Sequence, residues 1–260
     1  MTLIASYLAL AWPLARRDVL ARYRGTLFGV AWALLAPLGM VLVYTLVFRG
    51  VFQARWGSTG ADGFEYVARL FAGLMLFQAT AEVATRATRL MQDNANLVKR
   101  VVFPLEMLIG ALLLQVAVHT LAQVAMLAVL CAAFGIGPRA SWLLLPFALA
   151  WSWALQHALA LALAALGCYL RDLQHAVPVA IGGLLFLSPV FYPAEAAPAP
   201  LAVVLSLNPL SAPIELARAA WFGDTPDVSM LAGQGLALLV ALFAARRLFA
   251  RLRPGFADLV

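Results

Sequence analysis

Lysine is almost missing from this chain: it occurs once in 260 residues, as Lys99. Val98 precedes it, so there is no Gly-Lys step and no P-loop, whose lysine must reach the nucleotide phosphates. The chain therefore has no Walker-type ATP engine of its own. Charge of either sign is also scarce, at 12% of residues, against about a quarter in a soluble domain. Only two cysteines occur, Cys131 and Cys168. They lie far apart in apolar stretches and read as small hydrophobes rather than as a disulfide or redox pair. The three histidines, His119, His157 and His175, are too far apart for a local HExxH zinc site, so no metal is expected. They read as polar contacts between helices or at the interface. No serine sits in a G-x-S-x-G frame, which leaves no hydrolase elbow.

Hydrophobic residues, by contrast, make up 64% of the chain, and the mean hydropathy is +0.92. A soluble protein of this composition could not cover its surface with polar groups, whereas a bilayer removes that requirement. The expected fold is an all-α polytopic membrane protein with six transmembrane helices. Apolar runs place the spans at about 27–48, 67–85, 104–134, 142–170, 178–192 and 230–249. The fifth is short and runs into the proline-rich stretch 193–213, so short re-entrant helices are expected between the fifth and sixth spans. Residues 1–26 form a separate unit: Leu8, Trp12, Val19, Leu20 and Tyr23 share one helical face, as in a helix lying in the membrane interface. The transmembrane domain then covers 27–260. Because the first apolar stretch precedes Arg16 and Arg17, the N-terminus does not read as a secretory signal.

Eighteen Lys and Arg face 12 Asp and Glu, a net charge of +6. In a soluble chain this would raise nucleic-acid binding; between apolar runs it reads as topological bias, and no nucleic-acid partner is expected. With a cytoplasmic N-terminus, Arg16, Arg17, Arg22, Arg24, Arg86, Arg89, Lys99, Arg100, Arg171, Arg246, Arg247, Arg251 and Arg253 all fall inside. Both termini are thus expected in the cytoplasm. Within or beside the spans, Glu82 can pair with Arg86, and Glu215 with Arg218, at helical spacing. Tyr44, Phe48, Phe52, Trp56, Phe64, Tyr66, Phe71, Phe191, Tyr192, Trp221 and Phe222 gather toward the outer side. An interfacial aromatic belt and a sugar-stacking channel both account for them.

Five ordered stretches carry a family resemblance. They are R-x-R-G-T-L-F-G-V-A-W-A-L-L-A-P-L (22–38), N-A-N-L-V-K-R-V-V-F-P-L-E (94–106), Y-L-R-D-L (169–173), S-P-V-F-Y-P (188–193) and L-N-P-L (207–210). Together they resemble the permease subunit of ABC-2 type polysaccharide exporters, the O-antigen, teichoic-acid and capsule export group. The resemblance implies a homodimer in the bacterial inner membrane, served by two separate ATP-binding cassette subunits that use ATP and Mg, with no cofactor held by this chain. Its cargo would be a lipid-linked, O-antigen-like polysaccharide. By the same analogy Asn94, Asn96, Lys99, Arg100, Arg171 and Asp172 would couple to the ATPase. Tyr44, Phe48, Phe191 and Tyr192 would stack sugars along the path. Arg16, Arg17, Arg22 and Arg24 are candidates for lipid head groups at the interface. A capsular, drug or lipid exporter of the same kind, an intramembrane enzyme of glycan or lipid metabolism, and a membrane scaffold remain the alternatives.

Overall fold

The computed structural model describes residues 12–17, 19–21, 24–51, 63–99, 103–137 and 139–260. Every regular element among them is helical. In hydrocarbon a backbone must satisfy its own hydrogen bonds, and long runs of Leu, Ala and Val do so as helices. Residues 12–17 and 19–21 are helical. Helix α1 spans Trp32–Thr45 and continues into a π-turn, Leu46–Val51. Helix α2 (Gly63–Ala87) leads to two short helices, α3 (Leu90–Asp93) and α4 (Ala95–Val98). Then follow α5 (Glu106–Ala133), α6 (Leu145–Tyr169), α7 (Leu173–Phe186), α8 (Ala199–Leu207), α9 (Ser211–Phe222), α10 (Val228–Leu252) and α11 (Phe256–Leu259).

Four helices, α2, α5, α6 and α10, are long and apolar enough to cross a membrane. Helices α8 and α9 bend by 94° at a short break and count as a fifth crossing if taken as one span. Helices α1 and α7 are apolar but short, at 14 residues each, less than the ~20 that a full crossing takes.

The ends of the long helices have local causes. Helix α5 stops at Gly135, whose φ of 80° belongs to the left-handed region, and Ile136 N–H closes back on Cys131 O at 2.8 Å, a glycine C-cap. Helix α6 starts with Pro146 in its first turn, where no N–H is needed. Helix α10 is capped by Asp227, which accepts from the backbone N–H groups of Ser229 and Met230. The Ser229 hydroxyl, followed by those two amides, holds the exposed Asp227 carboxyl below its ordinary value.

The fifth apolar helix differs from the expected 178–192. It begins at Leu173 and absorbs Pro178 in its interior. It ends at Phe186, because Pro189 forces Ser188 out of the helical region. The S-P-V-F-Y stretch is thus a turn, with Val190 N–H bonded to Ser188 O at 2.7 Å.

Packing is organised around α2, which touches α1, α5, α6, α7 and α9. Of its most apolar stretch 78% is buried, against 11% for α10. Helix α7 has no buried residue and α1 has two, Pro37 and Val41. Both rest on α2, with α1 also against α5 and α7 also against α6.

Candidate functional site

Two polar assemblies sit at opposite ends of α2. At the Arg69 end the backbone leaves helical geometry repeatedly, and charged or amide side chains reach across from other elements to satisfy it. Arg69 bonds Glu65 one turn away at 2.8 Å, pairs with Asp224, and lies over the Phe222 ring at 4.4 Å. Gly223 makes this possible: its φ of 82° ends α9 in the left-handed region and turns Asp224 toward Arg69. Arg218, only 1% exposed, donates to Val190 O at 2.9 Å and to Glu215 at 3.1 Å. The turn 188–192 is therefore bolted to α9 through a buried guanidinium. Arg139 and Ser141 donate to Phe222 O and Ala220 O, closing the last turn of α9.

The bend between α8 and α9 has its own clamp. Asn208 donates to Leu187 O at 2.9 Å and to Ser188 Oγ at 2.8 Å, and accepts from Leu210 N–H. Gln234, on α10, donates to Ser206 O and accepts from Ala212 N–H, spanning the break. Asn208→Ala removes the bonds to Leu187 O, Ser188 Oγ and Leu210 N–H that hold the bend and is expected to cost about 2 kcal/mol, read as a lower thermal midpoint of the detergent-solubilised chain.

Against this assembly rest the aromatic candidates. The Tyr44 and Phe191 rings meet edge to face at 4.9 Å, and Phe186 lies 5.7 Å from Phe191. Phe191 is buried, whereas Tyr44 and Tyr192 are half-buried. Tyr192 donates its hydroxyl to Phe186 O at 2.8 Å. Several other outer aromatics pack on one another or on Arg69: Phe64 stacks on Phe134, and Trp221 meets Trp142. The ring of Phe48, together with Phe52 and Trp56, lies outside the described residues. Beside α1 a crevice of about 180 Å³ brings together Gln78, Glu82, His119 and Gln123 with Trp32 and Met40.

At the opposite end, Gln92 donates to Gly167 O at 3.1 Å, tying α3 to α6. Helix α6 comes so close there that a Cβ on Gly167 would lie 2.9 Å from the Thr88 carbonyl carbon and nearer still to its oxygen. Asn94 turns inward and caps Leu90 O at 2.9 Å. Asn96, Lys99, Arg171 and Asp172 are exposed. Arg17 and Asn94, far apart in sequence, line one small cavity with Arg86 and Leu90. The N-terminal segment and the 94–106 loop thus share a surface. Arg16 and Arg24 are exposed; Arg22 and Arg100 lie outside the described residues. Tyr169 donates to Leu252 O at 3.0 Å, so the C-terminal turn joins this end. Glu82 and Arg86 pair at 3.0 Å, as their spacing predicts.

Sequence reasoning found Glu215 with Arg218 and missed Asp224 as the partner of Arg69. Their separation of 155 positions leaves no local signal. Among the described residues no group of acids, histidines and cysteines could hold a metal ion.

The profile of a family described as ABC-2 type transporter matches residues 10–222. An O-antigen export system permease protein RfbA of Klebsiella pneumoniae is 22% identical over 251 residues, covering 95% of this chain and 93% of that one. A protein of the same name from Myxococcus xanthus is 27% identical over 255 residues, 97% of this chain and 95% of that one.

Proposed function

Since the chain belongs to the ABC-2 type transporter family, we propose that it is the membrane-spanning permease of an ATP-driven exporter of an O-antigen-like, lipid-linked polysaccharide. What carries this reading is the end-to-end similarity to O-antigen export permeases. The working unit is a homodimer in the bacterial inner membrane with two ATP-binding cassette subunits on the side of the Gln92 end, where Arg17 and the C-terminal turn lie. The absence of a P-loop from the sequence fits an engine in separate chains. Each protomer crosses the bilayer six times, with α1 and α7 as the short first and fifth spans and the bent α8–α9 pair as re-entrant helices at the exit.

The second copy closes on α1 and α7. Both are apolar, both rest on α2, and both expose large side chains such as Leu42, Val43, Val179 and Phe186. A channel between the copies would be bordered by Tyr44, Tyr192 and the polar crevice beside α1. Aromatic faces suit a polymer of many sugars, because stacking tolerates sequence and lets the chain slide. Arg17 with Asn94, and the exposed Lys99, Arg171 and Asp172, offer the ATPase a contact surface that transmits closure to α2 and α6.

Deleting the gene should abolish surface display of the polymer and leave it lipid-linked inside; wild-type display after deletion would overturn the export function. Tyr44→Ala and Tyr192→Ala are each expected to lower display roughly three- to tenfold, the loss of one stacking contact, at unchanged protein level. Tyr192→Phe, which keeps the ring, is expected to stay near wild type. Full display in both alanine variants would remove the stacking role.

A further inference from the structure

On the side of the bundle formed by α5, α6 and α10, none of which belongs to the α1–α7 face, the chain leaves a cleft of about 900 Å³. Its lining is ordered by depth. Glu106 opens α5 at the Gln92 end, and Arg246 faces it from the last turns of α10. His157 lies within electrostatic reach of both. Further in, the walls are Leu113, Leu114, Trp153 and Leu242. Glu106 to Leu114 is eight residues, about 12 Å of helix, most of the ~15 Å that one leaflet contributes to the hydrocarbon core.

We propose that this cleft is a phospholipid site, with the phosphodiester of an inner-leaflet lipid against Arg246 and an acyl chain along Leu114, Trp153 and Leu242. The occupant has to be polar at one end and apolar along the rest, because the lining is. A guanidinium offers phosphate a two-pronged donor, and Arg246 is exposed and forms no ion pair with a described residue. Arg247, Arg251 and Arg253 follow on the same end of α10, so the mouth of the cleft meets the lipid phosphates on a cationic rim. Glu106 on the facing wall keeps the mouth from being uniformly positive. Recognition therefore rests on the phosphodiester and not on net lipid charge.

The test is native mass spectrometry of the full chain released from nanodiscs of equal parts phosphatidylethanolamine and phosphatidylglycerol. Wild type should retain one phospholipid per chain, of either head group. Arg246→Gln should lower the retained fraction about tenfold, the effect of one lost charge-assisted contact, while Arg246→Lys keeps more of it. Leu114→Trp, at a half-buried wall position, fills the apolar depth, leaves the arginine and should lower it as well. Equal retention in wild type, Arg246→Gln and Leu114→Trp would overturn the proposal, as would loss in Leu114→Trp alone. The readout needs neither ATPase nor polysaccharide, so its failure is separate from any failure of the export function.

Discussion

Arg218→Met is expected to destabilise the folded chain by about 3–5 kcal/mol, the largest effect of any single substitution at the Arg69 end. Methionine fills much of the same volume, so the loss is electrostatic. The variant strips Glu215 of its cation in a site where that carboxylate is only 16% exposed, and it leaves Val190 O without its donor. A buried charge without its partner costs far more than the pair contributes when both are present. The double variant Arg218→Met with Glu215→Gln should therefore recover most of the loss. Arg218→Lys should recover less, because one ammonium cannot reach both Glu215 and Val190 with the geometry of a guanidinium. Thermal unfolding in detergent ranks the four proteins. A double variant no more stable than Arg218→Met would show that packing, not the unpaired carboxylate, sets the cost.

Gly167→Val is expected to cost about 3 kcal/mol or more, since the new side chain would be driven into backbone and not into a movable side chain. The atoms it meets belong to Thr88, at the end of α2. Relief would require α6 to back away from α2, which would also pull Gly167 O from Gln92. Its consequence for transport is local to this end: polymer export and stimulated ATP hydrolysis should fall together, even in the fraction that remains folded. Gly233→Val, on α10, serves as the control, because nothing lies within 4 Å of a Cβ there, and it should cost well under half as much. Equal behaviour of the two variants would mean that the close approach of α6 to α2 is not what the glycine serves.

Much of the helical skeleton was legible in the sequence. The apolar runs at 104–134 and 230–249 foreshadow α5 at Glu106–Ala133 and α10 at Val228–Leu252 closely, because hydrocarbon length and composition set both. Helix α7 was displaced because proline pulls in two directions. Pro178 looks like a first-turn residue yet sits inside the helix, while Pro189 ends it by restricting Ser188. The pairs one turn apart, Glu82 with Arg86 and Glu215 with Arg218, could be read from spacing. Asp224 with Arg69 and Gln234 across the α8–α9 break could not, since each closes a contact between elements whose adjacency is a property of the fold. Of the aromatic candidates, the structure brings Tyr44 and Phe191 into contact. That pairing, with Phe191 buried between Tyr44 and Phe186, depends on a turn that sequence had assigned to a helix.

The side-chain clamps at the Arg69 end divide the molecule mechanically. Helices α2, α6 and α9 are joined by buried polar bonds and, together with α5, hold most of the apolar core, so shifting any one of the three breaks both. Helix α7 buries no residue and α1 buries two, so sliding either exposes little apolar surface and carries a correspondingly small free-energy penalty. The chain is thus a stiff stator with two lightly held staves. Any widening of the α1–α7 face is confined to those staves and to the turns that end them, while the bent pair above stays fixed as a rim.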